Sequence, residues 1–158
     1  MPLLVGRHVN KIDKKGRISI PKPFRDGLAD QPFAGVYAYP LFKFPALEAC
    51  GEDFMNRISD SLDAGTEMFS DDQDDLAAVI MNNAQALPFD SEGRVVLPEQ
   101  FLEHAGLRDE AIFVGRGRRF QIWEPARFET QNKQAFERAR ARGATLKLAP
   151  QSSGKDDA

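Results

Sequence analysis

The chain has 158 residues, of which 42% are hydrophobic and 28% charged, and its formal net charge is −3. No uninterrupted apolar run approaches the roughly 20 residues that a membrane-spanning helix needs. The opening Met1-Pro-Leu-Leu-Val5 gives way to Gly6-Arg7-His8, which is not a signal-peptide pattern. A lone Cys50 leaves no internal disulfide and suits a reducing cytoplasm. With only His8, His104 and Cys50 as soft ligands, far apart in sequence, neither a metal site nor another cofactor is expected.

In chain order, Arg7 to Ile12 reads as a short strand, followed by a turn at Asp13-Lys-Lys-Gly16. There Asp13 can accept backbone N–H bonds and Gly16 can take a positive φ. Arg17 to Ile20 alternates, with Ile18 and Ile20 directed to the core. Pro21 ends that strand, and a short helix with Phe24 and Leu28 on one side follows. Phe33–Tyr39 and Leu41–Phe44 read as two more strands around Pro40. A helix is expected from Ala46 to Ser59 and another from Ser70 to Ala86. In the latter, Ser70 is the N-cap and four aspartates favour the positive end of the helix dipole.

The order then repeats. Leu87–Asp90, a turn at Asp90–Gly93 and Arg94–Leu97 come first, and Pro98 leads into a helix closed by Gly106. Ala111–Gly115 and Phe120–Trp123 read as a hairpin around Arg116-Gly-Arg-Arg119, and Pro125 opens a last helix to Arg142. The phrase Asp13-Lys-Lys-Gly-Arg-Ile-Ser-Ile-Pro-Lys-Pro-Phe24 returns as Asp90-Ser-Glu-Gly-Arg-Val-Val-Leu-Pro-Glu-Gln-Phe101, with five of twelve positions identical. Trp123-Glu-Pro-Ala loosely echoes Phe44-Pro-Ala, which extends the duplication past the turns. The expected organisation is a first repeat over 1–62, a connecting acidic helix over 63–86, a second repeat over 87–142 and a disordered tail over 143–158. Units this small usually borrow core from a neighbour, by pairing within the chain, by oligomerising, or both.

Charge is distributed unevenly. Residues 1–25 carry Arg7, Lys11, Lys14, Lys15, Arg17, Lys22 and Arg25 against Asp13 alone, whereas residues 52–75 carry nine acids against Arg57. Such a pattern steers a polyanion to one surface. Catalysis is not expected: the chain lacks a Gly-rich phosphate loop, a nucleophile elbow and a His-based metal motif. The acids at 71–75 read as a wet helix start rather than a metal cluster.

Strand, Asp-x-x-Gly-Arg turn, strand, Pro, short helix and two further strands resembles the SpoVT/AbrB-like swapped-hairpin fold. Two such copies, the Gly-Arg-(aliphatic)-x-(aliphatic)-Pro phrase and Ile122-Trp123 at the second hairpin resemble the MraZ family, bacterial regulators associated with the division and cell-wall gene cluster. The resemblance spans residues 1–142. It implies a mixed β fold with short helices (α+β), built as a duplicated swapped-hairpin AbrB-like barrel with additional helices. It also implies a homo-oligomeric ring laid along repeated boxes of double-stranded promoter DNA, cytoplasmic and nucleoid-associated, with no small-molecule substrate and no membrane. The family's motif falls on Asp13–Arg17 and on Asp90–Arg94, where Ser91-Glu92 replaces the paired lysines.

The residues themselves agree on mechanism. Arg17, with Lys14, Lys15 and Arg7, would neutralise phosphates, and a turn-held arginine can also grip a guanine edge. Asp13, Gly16, Asp90 and Gly93 would shape the turns. Arg94 is open between DNA and a subunit contact. Two other readings compete: an antitoxin-like or scaffold module whose acidic 52–75 region holds a basic partner, and a ring that binds DNA without regard to sequence.

Overall fold

In the computed structural model, which describes residues 2–151, both repeated phrases form tight hairpin tips, and the strands leading into them set the architecture. The chain parts into two compact units after Phe128, and the first holds every strand. The class is mixed α+β, as expected. The strands are β1 (Arg7–Lys11), β2 (Arg17–Ser19), β3 (Gly35–Pro40), β4 (Leu47–Cys50), β5 (Gln85–Pro88), β6 (Arg94–Val96), β7 (Glu110–Gly115) and β8 (Arg119–Trp123). Short helices α1 (Lys22–Gly27) and α4 (Glu99–Ala105) follow the two tips. Longer ones are α2 (Glu52–Gly65), α3 (Asp71–Leu76) and α5 (Pro125–Arg142), and α3 runs on into a π-helical turn, Ala77–Met81. Residues of α5 from Glu129 onward belong to the second unit. Part of the expected tail, 152–158, lies outside the described residues.

The ladders cross between the two halves of the sequence. β1 pairs with β7, setting Val9 opposite Ile112, and β5 pairs with β3, setting Ala86 opposite Tyr37. β2 pairs with β6 and β4 with β8, all antiparallel. Ile18 stands opposite Val95, its own counterpart in the repeat, and Glu48 stands opposite Gln121. A pseudo-twofold axis therefore passes through both pairs. Each half completes the other's sheet, which is how two units too small to bury a core alone come to share one.

The strand order β1-β7-β8-β4-β3-β5 leaves the six-stranded sheet open, with β2-β6 as a separate ribbon. Among the described residues no ladder closes the expected barrel. The reason lies in the tips: β2 and β6 are three residues long and pair with each other across the axis instead of with the sheet edges. The ribbon is tied down by Ile20 N donating to Gly93 O (3.1 Å) and Leu97 N donating to Gly16 O (2.9 Å). Ile18, Ile20, Phe24, Val95, Leu97 and Phe101, the apolar positions of the repeated phrase, are all buried in one cluster with Leu4, Phe113 and Phe120. Truncating a core phenylalanine such as Phe24 or Phe101 to alanine costs about 3–5 kcal/mol.

Four expectations are corrected. Ala46–Cys50, read as the start of a helix, is buried and leads into strand β4 at Leu47, and the helix begins only after Gly51; Leu41–Phe44 is the connection before it, not a strand. Leu-Glu-Ala favours a helix in isolation, but β4 has ladders on both sides, and that burial outweighs propensity. The helix read over Ser70–Ala86 stops early, because Gln85–Pro88 is taken up as β5 against β3. Finally, Cys50 pairs with Tyr37 as Trp123 does with Ile112, so the structural counterpart of Trp123 is Cys50 and not Phe44. The proline-based echo was out of register.

Candidate nucleic-acid interface

Each tip is organised by its aspartate. Asp13 Oδ1 accepts the backbone N–H of Lys15 and of Arg17, both at 2.9 Å, and Oδ2 accepts Arg17 Nε at 2.6 Å. Gly16 N donates to Asp13 O at 3.0 Å with Gly16 at φ +79°, a left-handed conformation that a side chain would strain. The second tip repeats this bond for bond. Asp90 Oδ1 accepts from Glu92 N and Arg94 N at 2.9 Å, Oδ2 accepts Arg94 Nε at 2.8 Å, and Gly93 has φ +76°. The aspartates are thus turn-formers that aim an arginine. Backbone N–H donation from the arginine, followed by its guanidinium and the second N–H, holds the Asp13 carboxyl below the usual carboxylate range; Asp90 is held down by the Arg94 N–H, then the Glu92 N–H and the Arg94 guanidinium.

Arg17 meets the aspartate through Nε, its outer guanidinium nitrogens show no hydrogen bond among the described residues, and its side chain is 35% exposed. Lys14 and Lys15 are exposed beside it. At the second tip the arginine is engaged further, since Arg94 Nη2 also meets Glu92 Oε2 at 3.4 Å. The hydrogen bond that Arg94 donates to Asp90, helped by the charges of Asp90 and Glu92, raises the Arg94 pKa against the opposing effect of burial. Two arginines on one backbone design therefore differ in how much of the guanidinium is already spoken for.

Arg7 does not join either tip. It stands at the start of β1, six residues before Asp13, a span of about 20 Å along an extended strand. Its guanidinium lies 5.6 Å from the centre of the Phe128 ring. Arg116 and Arg119, in the basic stretch 116–119, are held by polar partners while staying at the surface: Arg116, exposed, donates to Gln121 Oε1 (3.1 Å), and Arg119 Nε lies 3.1 Å from Glu48 Oε1. There they close a buried polar cluster on the pseudo-axis. Glu48, only 8% exposed, also accepts from Tyr39 Oη (2.5 Å) and Gln121 Nε2 (3.1 Å), and Gln121 Oε1 accepts from Trp123 Nε1 (2.9 Å). Burial, then the charge of Glu48, pushes the neighbouring Cys50 thiol up to about 12, so it is no nucleophile near neutral pH.

One contributor was not singled out from sequence. The Arg25 guanidinium of α1 lies against Gly93, where an added Cβ would come within 2.6 Å of Nη1, while Arg25 Nε donates to Ile20 O at 2.9 Å. The counterpart at the first tip is Leu102, 3.8 Å from a Cβ on Gly16. A helix cation of the first repeat thus sits beside the turn of the second. The signal was in the sequence, because Arg25 and Leu102 stand at the same spacing as the two aspartates, but only the crossing of the ladders gives it meaning.

A family profile described as "MraZ protein, putative antitoxin-like" matches residues 80–148. A transcriptional regulator MraZ of Pelagibacter ubique is 40% identical over 145 residues, covering 92% of this chain and 93% of that protein. The chain belongs to the MraZ family. Other relatives with the same name come from Gluconacetobacter diazotrophicus, 42% identical over 143 residues (89% of this chain, 90% of that protein), and Rickettsia canadensis, 36% over 149 residues (94% and 99%). MraZ proteins are transcriptional regulators and not enzymes. Among the described residues no helix is long and apolar enough to cross a membrane, and no three His, Cys, Asp or Glu side chains gather as a metal site.

Proposed function

We propose that this regulator binds double-stranded promoter DNA sequence-specifically, as a homo-oligomeric ring that lays its Asp-x-x-Gly-Arg tips along repeated boxes, in the cytoplasm and on the nucleoid. The division and cell-wall gene cluster is its natural target. The observation that carries the reading is Arg17, pre-aimed by Asp13 at an exposed tip flanked by Lys14 and Lys15. An arginine fixed through Nε needs little further ordering to make a bidentate contact, worth about 1–3 kcal/mol of base discrimination. The lysines add phosphate contacts that position without specifying. Arg94 plays the same part more weakly, with Arg25 restoring positive charge beside it. Arg7 serves at most as an outlying phosphate contact. Avidity from several tips engaging together makes ring and box spacing part of the specificity.

Fluorescence anisotropy with the DNA upstream of the protein's own gene tests this directly. Arg17→Ala should lose most specific binding, Arg94→Ala less, and wild-type affinity should fall steeply with salt. Wild type that ignores this DNA at low salt, or prefers it no more than a scrambled sequence, ends the sequence-specific reading. In the second outcome a non-specific ring takes its place. The protein-interaction reading draws on the acidic 52–75 region, and a stoichiometric basic partner co-purifying with the chain would favour it.

A further inference from the structure

The acidic half of the molecule carries an apolar groove that the DNA reading leaves without a role. Two adjoining hollows, about 340 and 360 Å³, share Phe54, Ile58 and Ile80. The stripe Phe54-Ile58-Leu62 on α2 forms one wall and Leu76 with Ile80 another, while Phe42, 61% exposed, stands at the rim. The charged side chains lining the hollows are Arg57, Arg119 and Glu48, while the rest of the two helices is acidic, with Asp60 and Asp63 on α2 and Asp72 and Asp75 on α3 all exposed. Stripes spaced i, i+4, i+8 beside like charges are what a groove for an amphipathic helix of opposite charge presents.

The chain itself contains such a helix. The part of α5 from 129 to 142 carries Lys133, Arg138, Arg140 and Arg142 against Glu129 and Glu137, and its one large apolar side chain, Phe136, is 65% exposed. A phenylalanine that open on a basic helix is an anchor without a described pocket. We propose that the groove of one chain receives the 129–142 helix of a second copy, with Phe136 seated between Phe54, Ile58 and Ile80 and the arginines over the acids of α2 and α3. The guanidinia of Arg57 and Arg119 lie over the Phe54 ring at 5.4 and 5.5 Å. Glu137, next to the anchor, suits the exposed one, Arg57. Groove and helix are different surfaces, so the contact is head-to-tail, and repetition either closes a ring or runs on. The inference rests on the homo-oligomer reading above and assigns it a surface.

The head-to-tail character gives a decisive test on the full-length protein. Light scattering coupled to gel filtration would read the mass of wild type, Phe136→Glu and Ile58→Glu, each with a melting curve as folding control. Wild type should be a multimer and each variant a folded monomer. Mixed one to one, the two monomers should give a dimer and nothing larger, because only the helix of Ile58→Glu and the groove of Phe136→Glu remain intact. Should Ile58→Glu fail to melt cooperatively, Phe42→Glu at the exposed rim replaces it. Variants that keep the wild-type mass, folded variants that stay monomeric on mixing, or a wild type monomeric across the micromolar range would each overturn the proposal. Anisotropy of both variants on a DNA carrying one box separates this from the regulator reading. Loss of the multimer with one-box binding retained supports the interface, whereas a wild-type multimer that ignores the DNA breaks only the regulator reading.

Discussion

The two tips share a backbone and differ in charge, and the difference separates what the fold requires from what DNA binding requires. Both turns have the aspartate accepting two N–H groups and the arginine Nε, and both have a left-handed glycine. Those features, present in both copies, are what shape the hairpin tip. The lysines do not survive. Lys14-Lys15 becomes Ser91-Glu92, and Glu92 turns back on Arg94. Charge at the tip is therefore free to vary while the turn is not, which marks the charge as the functional variable.

The largest expected effect breaks the comparison at its stronger end. Arg17→Ala should weaken specific binding by about 5- to 150-fold per engaged tip, the range of one bidentate contact. Arg94→Ala should cost only a few-fold, and Arg25→Ala should widen that loss. Competition anisotropy with box and scrambled DNA reads the difference. Equal losses from the two arginines would mean that Glu92 releases Arg94 on binding, and the tips would then be functionally alike.

Stability gives the next effect in size. Gly16→Ala and Gly93→Ala each force a side chain into the left-handed region, at about 1–2 kcal/mol. Their surroundings differ. The new Cβ at Gly16 meets the fixed Leu97 carbonyl at 3.1 Å, whereas at Gly93 it meets the movable end of Arg25. Thermal melts should show Gly16→Ala as the more destabilised protein, and both should lose DNA affinity, Gly16→Ala through the distorted turn that aims Arg17 and Gly93→Ala through the displaced Arg25 guanidinium.

Much of this comparison was legible from sequence and some was not, for identifiable reasons. The turns, their aspartates and glycines, and the buried Ile18, Ile20, Phe24, Val95, Leu97 and Phe101 follow from local chemistry: an Asx-type turn and a period of two need no knowledge of the partner strand. Ala46–Cys50 was misread because its state is decided by β3 and β8, which are remote in the chain. The open sheet and the placing of Arg25 at the second tip are likewise products of crossed pairing. Composition located the basic and acidic regions but could not show that Arg7, offered as an assisting DNA contact, stands a strand's length from the first tip.

A gain of function sharpens the comparison from the weak side. Ser91→Lys with Glu92→Lys rewrites the second tip as the first and removes the carboxylate from Arg94. Affinity should rise a few-fold at moderate salt, and the slope of log affinity against log salt should steepen by about 0.9 for each phosphate newly neutralised. An unchanged slope would show that the second tip faces away from DNA. Arg94 would then be left with the subunit contact that the sequence alone also allowed.

The smallest effect lies in acid. Asp13 and Asp90 are both held below 3.8, the ordinary value for an aspartate, by N–H and guanidinium donors to the charged form. A carboxyl with a depressed folded-state pKa contributes stability that is fully present above its unfolded value. That contribution is lost as the pH falls through the folded one. Neither tip should therefore respond to pH between 5 and 8. Below about pH 4 the melting temperature of wild type should drop more steeply than that of Asp13→Asn, whose amide has no proton to take up. Both carboxyls are solvent-facing, so salt and water keep the difference small. Asp13→Asn should nevertheless bind DNA poorly at neutral pH, because an amide holds the Arg17 guanidinium less firmly than a carboxylate does. A variant that loses binding at pH 7 while losing little stability would place the value of the aspartate in aiming the arginine rather than in holding the fold.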